Sequence, residues 1–296
     1  MKKETINHLD LSTLEIFRQV AREGSISSAA KNLNRVQSNV STRIKQIEDQ
    51  IGVSLFERGR RGMALTDSGH TLLGYANELL TLSEQAVEAV GIVRPAGVLR
   101  IGAMESTAAS RLPVILTRFH DENPNVEVHV RTDTAGAIIG HLMSGQIDVA
   151  FVAEPVELRN IIKQPVFREN LILITPKSFP GSSIRDLTGK TMIAFEEGCA
   201  YRRYLNQWLL ENGIVPEKTI SIGSYLGMFA CISAGTGFGV VPESVLDVLG
   251  MRNKFQCRKL GGKYANITTM KVSRAGYQSS KLSALSNMLS EANVTN

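Results

Sequence analysis

The hydrophobic rhythm of the chain changes at Pro95-Ala96-Gly97, and that break constrains the fold more than any other feature. Ahead of it, apolar residues recur at three- and four-residue steps, the period of helices that bury one stripe. Beyond it, short apolar runs alternate with helical segments, the pattern of strands covered by helices. Proline beside glycine favours neither element, so a hinge is expected where the two architectures meet. At about 150 residues per domain, a chain of 296 residues accommodates two or three units.

Leu11, Leu14, Phe17, Val20 and Ala21 form one apolar stripe, which predicts a helix over about 10–23. Gly24 ends it, and Ser25 or Ser27 is placed to cap a short second helix over 27–33, where Ala29 and Ala30 permit close packing. After Asn34-Arg35 a third helix is expected over about 36–51. Val40, Ile44, Ile47 and Ile51 face inward; Gln37, Ser38, Asn39, Ser41, Thr42, Arg43 and Lys45 occupy the other face. Two short helices, a tight turn and a polar, basic helix make the helix-turn-helix pattern. Gln and Asn pair with adenine, Arg with guanine, and Ser and Thr reach bases or phosphates. A polar face is also what any solvated helix shows. The following loop tilts the balance toward DNA: Arg58, Arg60 and Arg61 surround two glycines between apolar anchors, as in a hairpin wing that offers cations to phosphates.

Charge placement agrees. The chain carries 33 basic against 28 acidic side chains, a mild net +5. Residues 1–66 hold 11 of the basic and 7 of the acidic groups, so +4 of the excess lies there, and seven basic residues fall between Lys31 and Arg61. One small part of the chain is fitted to a polyanion while the rest is close to neutral.

Residues 9–74 resemble the winged helix-turn-helix of LysR-type transcriptional regulators. The resemblance rests on Leu14, Phe17, Val20, Gly24-Ser25, Ala29-Ala30, Leu33, the run Val36-Gln37-Ser38-Asn39-Val40-Ser41, Ile44, Ile47-Glu48, Gly52-Val53, Leu55-Phe56-Glu57-Arg58, Leu65-Thr66 and Gly69. Val36 departs from the pattern, since the family often has Ser before the first Gln of the recognition helix. The expected DNA-binding residues are Ser27, Arg35, Gln37, Ser38, Asn39, Ser41, Thr42, Arg43, Lys45, Arg58, Arg60 and Arg61. Thr66 or Asp67 begins a long helix ending near 93, about 40 Å at 1.5 Å per residue. Its stripe comprises Leu72, Leu73, Ala76, Leu79, Leu80, Ala86, Val87 and Val90. Such a stripe packs back on its own domain or pairs with a second chain; the resemblance implies pairing, hence a homodimer and a homotetramer beyond it.

After the hinge, strands are expected at 98–103, 126–132 and 148–152, with helices at 111–121 and 137–144 between them. A second set places strands at 171–174, 192–195, 220–223 and 267–272, and helices at 202–212, 225–234 and 279–290. Parallel sheets are the natural reading of this alternation. Leu99-Arg-Ile-Gly102, Glu105-Ser-Thr107, Phe119 with Pro124, Gly145-Gln-Ile-Asp148 and Ala234-Gly235 through Gly237 and Pro242 resemble the regulators' effector domain, a two-lobed fold shared with bacterial solute-binding proteins. The resemblance therefore implies an α/β chain: a winged helix-turn-helix at 1–66, a linker helix at 67–94, and a periplasmic-binding-protein-like (type 2) effector domain at 95–296. Lobe I is expected at about 95–165 and 275–296, lobe II at about 166–274.

Ligands in such folds sit beyond the carboxyl ends of the strands, between lobes. Ser106, Thr107, Thr132, Thr134, Cys199, Tyr201 and Arg202 are the candidates, and a small carboxylate or other anion is the expected effector, with Arg202 as counter-charge. Each hydroxyl is equally placed to be an ordinary helix cap. Cys199, at a helix start beside Arg202 and Arg203, is placed for a lowered thiol pKa and hence for redox sensing, an alternative function. Gly235-Thr-Gly-Phe-Gly239 does not have the spacing of a dinucleotide fingerprint and reads as a packed turn.

The remaining classes are excluded on residue grounds. No paired carboxylates, Ser/His/Asp set or metal-ligand spacing appears, so neither enzyme, cofactor nor metal is expected. MKKETINHLD lacks an apolar stretch behind its lysines, so no secretory signal is expected, and no run is long enough to span a membrane. That argues against a solute-binding protein with an oligomerising N-terminus. The expected partners are promoter double-stranded DNA, the effector, a second copy and, for an activator, RNA polymerase, all in the cytoplasm.

Overall fold

The computed structural model describes residues 9–59, 62–90, 95–181 and 183–294. It divides into two compact units, the first ending at Ile92 and the second beginning at Val93.

The first unit comprises α1 (Leu11–Glu23), α2 (Ile26–Asn32), α3 (Gln37–Ile51), the hairpin β1 (Phe56–Gly59) and β2 (Gly62–Leu65), and α4 (Asp67–Val90). Asp10 starts α1: its carboxylate accepts from the Thr13 amide at 2.8 Å and from the Thr13 hydroxyl at 2.6 Å, which holds that carboxyl below its ordinary pKa. Gly24, at φ 60°, ends α1, and Ser25 rather than Ser27 caps α2. Leu14, Phe17, Val20, Ala29, Ala30, Val40, Ile44 and Ile47 close around one core, joined by Phe56, whose ring lies 5.3 Å from that of Phe17. Ile51, expected inward, is 41% exposed because it falls in the last turn of α3, past the end of this core.

Glu48 fixes the entry to the wing by accepting from the amides of Leu55 (2.7 Å) and Phe56 (3.2 Å). The wing then docks on α1's end, where the Met63 amide donates to the Gly24 carbonyl at 2.8 Å. A Cβ at Gly62 would come within 2.6 Å of that same oxygen, and Gly62 has φ 113°, so glycine is required there twice over. Thr66 caps α4 through the Gly69 amide at 3.0 Å. On α4, Leu73, Ala76 and Leu80 join the core of the first unit, while Tyr75, Leu79, Leu82 and Val87 stay exposed. The helix thus has two apolar faces, and packing on its own unit uses only one. The expected helix end near 93 lies outside the described residues.

The second unit runs β3 (Gly97–Ala103), α5 (Glu105–Ser110), α6 (Leu112–Glu122), β4 (Val126–Thr132), α7 (Ala135–Met143), β5 (Val149–Ala153), β6 (Ile161–Glu169), β7 (Leu171–Pro176), β8 (Met192–Ala194), α8 (Ala200–Glu211), β9 (Thr219–Ser221), α9 (Tyr225–Ser233), β10 (Gly239–Pro242), α10 (Glu243–Val248), β11 (Phe255–Lys259), β12 (Ile267–Arg274) and α11 (Ser280–Val294). Its first sheet has the order β4-β3-β5-β12-β6. Asp148, from the Gly145–Asp148 stretch, ties this sheet together by accepting from the Arg100 amide at 2.7 Å and the Tyr277 hydroxyl at 2.8 Å.

One expectation is corrected here. The sheets are mixed: β3 is parallel to β4 and β5, but β12 returns antiparallel between β5 and β6, and β7 lies antiparallel between β10 and β11. β6 and β12 pair along their whole length, so the first sheet takes in residues up to Glu169 and from Ile267. Lobe II then holds β7 to β11, with β8 parallel to β9. Gly235 to Gly239 does pack as a turn: a Cβ at Gly237 would lie 2.0 Å from the Thr191 carbonyl. Among the described residues no helix is long and apolar enough to cross a membrane.

Candidate DNA interface and effector cleft

The inner face of α3 is committed to the core, which leaves its outer face to solvent. Gln37, Ser38, Asn39, Thr42, Arg43 and Lys45 are exposed, Ser41 is half-buried, and Ser27 on α2 is exposed. Arg43 stands near enough to Asp10 to help lower its pKa. Arg35 is exposed, and its guanidinium reaches the Ser12 hydroxyl at 3.4 Å. Arg58 lies in β1 with its backbone paired to Met63; Arg60 and Arg61, the expected wing tip, lie outside the described residues.

Val36 occupies the N-cap of α3, makes no side-chain cap and is 69% exposed. Its backbone is already extended, so a hydroxyl there would meet a free amide of the first turn. Val36→Ser should therefore stabilise the first unit by about 1 kcal/mol. A raised urea midpoint checks this, and an unchanged one contradicts it.

In the second unit a cavity of about 280 Å³ opens between the lobes at the carboxyl ends of β3, β4, β8 and β9. Lobe I lines it with Met104, Glu105, Ser106 and the segment Thr132–Ala135; lobe II contributes Phe195, Glu196, Cys199, Ala200, Tyr201, Gly223 and Tyr225. Ser106, Thr132, Thr134, Cys199 and Tyr201 are thus brought to one place from sequence-distant loops. Thr107 is buried beside them but does not line the cavity. Thr134 is engaged as the cap of α7, accepting from the Ala137 amide at 3.4 Å. The Ser106 and Tyr201 hydroxyls are buried close to one another and to the Thr269 hydroxyl. Burial, then the charge of Glu169, pushes the Tyr201 phenol well above its ordinary pKa.

Arg202 is not where a counter-charge would be. It does not line the cavity, and its guanidinium donates to the Phe195 carbonyl at 3.0 Å and the Ser221 hydroxyl at 3.2 Å, bracing α8 against β9. Cys199 is corrected as well. Burial raises its thiol above the ordinary value and outweighs the lowering by nearby amides, Arg202 and Arg203. The thiolate is the reactive form, so iodoacetamide should modify Cys199 at least about tenfold more slowly than free cysteine at neutral pH. Faster modification would favour redox sensing at this thiol.

Glu105, Phe195, Glu196 and Tyr225 were not among the expected site residues. Glu105 follows β3 and Tyr225 follows β9, the positions that select Ser106 and the start of α8, so the same rule applied to every strand end finds them. The Tyr225 amide donates to Glu105 at 3.2 Å across the cleft.

A winged helix-turn-helix joined to a two-lobed domain with an interlobe cavity defines a ligand-responsive DNA-binding transcription regulator. Residues 11–70 match the family described as bacterial regulatory helix-turn-helix protein, lysR family, and residues 93–293 match the LysR substrate binding domain. The chain belongs to the LysR family of transcriptional regulators. It is 35% identical over 268 residues to the transcriptional regulator GltR of Bacillus subtilis (strain 168), covering 90% of each. It is 34% identical to CzcR of Bacillus thuringiensis subsp. konkukian (strain 97-27), covering 90% of this chain and 91% of that one. Among solved structures, full-length OxyR from Pseudomonas aeruginosa shares the fold with a TM-score of 0.78 at 20% identity over 95% of each chain. Full-length CbnR in complex with its target DNA gives 0.63 at 21% identity, over 96% of this chain and all of the other.

Proposed function

We propose that the chain reads promoter DNA through Gln37–Lys45 of α3, with Ser27, Arg35 and the wing arginines Arg58, Arg60 and Arg61 positioning it on phosphates. Two copies pair through the exposed face of α4, and two pairs make a homotetramer in the cytoplasm. A small molecule in the interlobe cavity selects one arrangement of the lobes and so resets the bound DNA. The protein carries out no reaction itself; where it activates, RNA polymerase is its further partner.

The observation that carries this reading is the division of α3, whose inner face is buried at Val40, Ile44 and Ile47 while its polar and basic face is exposed. A nuclease footprint on the DNA upstream of its own gene tests it. Protection of half-sites about 10 base pairs apart, or a multiple of that, is expected from a two-fold dimer. Absence of any protected site contradicts it.

A further inference from the structure

We propose that the effector carries a protonated amine and that Glu105 is the residue that receives it. The proposal rests on the reading of the interlobe cavity as the effector site. The cavity's charge has one sign: Glu105, Asp133 and Glu196 line it, and among the described residues neither lysine nor arginine does. The cation nearest in sequence, Arg202, is spent on Phe195 and Ser221.

One buried polar atom asks for a donor. Glu105 Oε1 takes the Tyr225 amide, whereas Oε2 is buried with no partner. Ser106 and Tyr201, each 3% exposed, also line the cavity, and their hydroxyls lie close to one another and to that of Thr269. An ammonium group has three donors and no acceptor, and Glu105 Oε2 is an acceptor open to one of them. Burial raises the Glu105 carboxyl above its ordinary pKa, as expected of an acid that lacks a cationic neighbour.

A carboxylate in the same place meets like charge. The N-termini of α7, α8 and α9, which also line the cavity, offer it about half a positive charge each, against three lining acids. The apolar part of an amine has a seat as well: the rings of Phe195 and Tyr225 stand 4.8 Å apart, tilted by 58°, on the lobe II wall. A face of either ring also attracts a cation.

The test uses the full-length chain, a panel of arylalkylamines and diamines that includes phenethylamine and 1,4-diaminobutane, and the carboxylate isostere of each, such as 3-phenylpropionate. Binding is read by calorimetry and by thermal shift, with ligands up to about 10 mM. We expect at least one amine to bind at least tenfold more tightly than its isostere. Glu105→Gln should weaken that amine at least tenfold while the far-UV circular dichroism of the chain is unchanged; Asp133→Asn provides a second charge deletion. Gly223→Leu localises the ligand, because Gly223 lines the cavity and a Cβ there meets nothing within 4 Å, so the backbone admits a side chain at the cavity wall. Carboxylates that bind in preference to amines, and are expelled by Gly223→Leu, overturn the amine but keep the cavity as the effector site. Binding that Gly223→Leu leaves intact overturns the cavity reading. A panel in which no amine binds overturns the amine proposal outright.

Discussion

Replacing Arg43 by alanine should lower the affinity for the promoter duplex by roughly a hundredfold or more, with the fold intact. A bidentate pair with a base is worth about 1–3 kcal/mol, and a dimer forgoes it at both half-sites. The fold should survive because Arg43 is exposed on the outer face of α3, whereas Val40, Ile44 and Ile47 hold the helix. Gln37→Ala should cost less and relax the preference at one adenine position. Lys45→Ala should weaken all duplexes alike and reduce the slope of log affinity against log salt by about 1 for each phosphate that is no longer neutralised. Fluorescence anisotropy with labelled duplexes, alongside far-UV circular dichroism, separates these outcomes. Equal affinity for Arg43→Ala and the parent chain would remove α3 from the interface.

The second large effect concerns α4. Leu82→Glu combined with Val87→Glu should convert the assembly to monomers and lower promoter affinity by about 10²- to 10⁴-fold, the loss expected when two linked sites become independent. Leu82, 62% exposed, lies on the face of α4 opposite Leu73, Ala76 and Leu80, which are buried in their own unit. Val87, 61% exposed, continues that buried stripe two turns past Leu80, beyond the core. Charge placed on the exposed face should therefore leave the unit folded and disrupt only pairing. Sedimentation analysis gives the mass directly; an unchanged mass would assign dimerisation elsewhere.

The first unit was legible from the sequence because its helices carry strong apolar periods and clear punctuation. Leu14, Phe17 and Val20 could form only one stripe, and Gly24 and Gly52 close their helices in the left-handed region. The second unit was legible in its buried strands and not at its edges. β6, Ile161–Glu169, hides its pairing because it is an edge strand, alternates poorly and carries Pro165 beside a register shift. β11 hides in the same way, with only Phe255 buried. The parallel reading failed because local alternation does not reveal that β12, from the far end of the chain, inserts between β5 and β6.

The cavity was half legible. Hydroxyls at strand ends could be picked out singly, but the hydrogen bond between Glu105 and Tyr225 joins residues 120 apart in sequence. Arg202 and Cys199 misled for one reason. Adjacency to a helix start suggests charge and reactivity, whereas the direction of the guanidinium and the burial of the thiol are properties of the folded lobe.

Sequence-specific regulation stands or falls on the ratio of affinities for two duplexes of equal length and composition, measured at a single physiological salt concentration. One duplex comes from the DNA upstream of the protein's own gene, and the other is scrambled. The full-length chain should prefer the native duplex by about 10³-fold or more, and Arg43→Ala should erode that ratio. Equal affinity for both duplexes, with steep salt dependence alone, would make the basic face a non-specific patch and contradict the reading of the chain as a sequence-specific regulator.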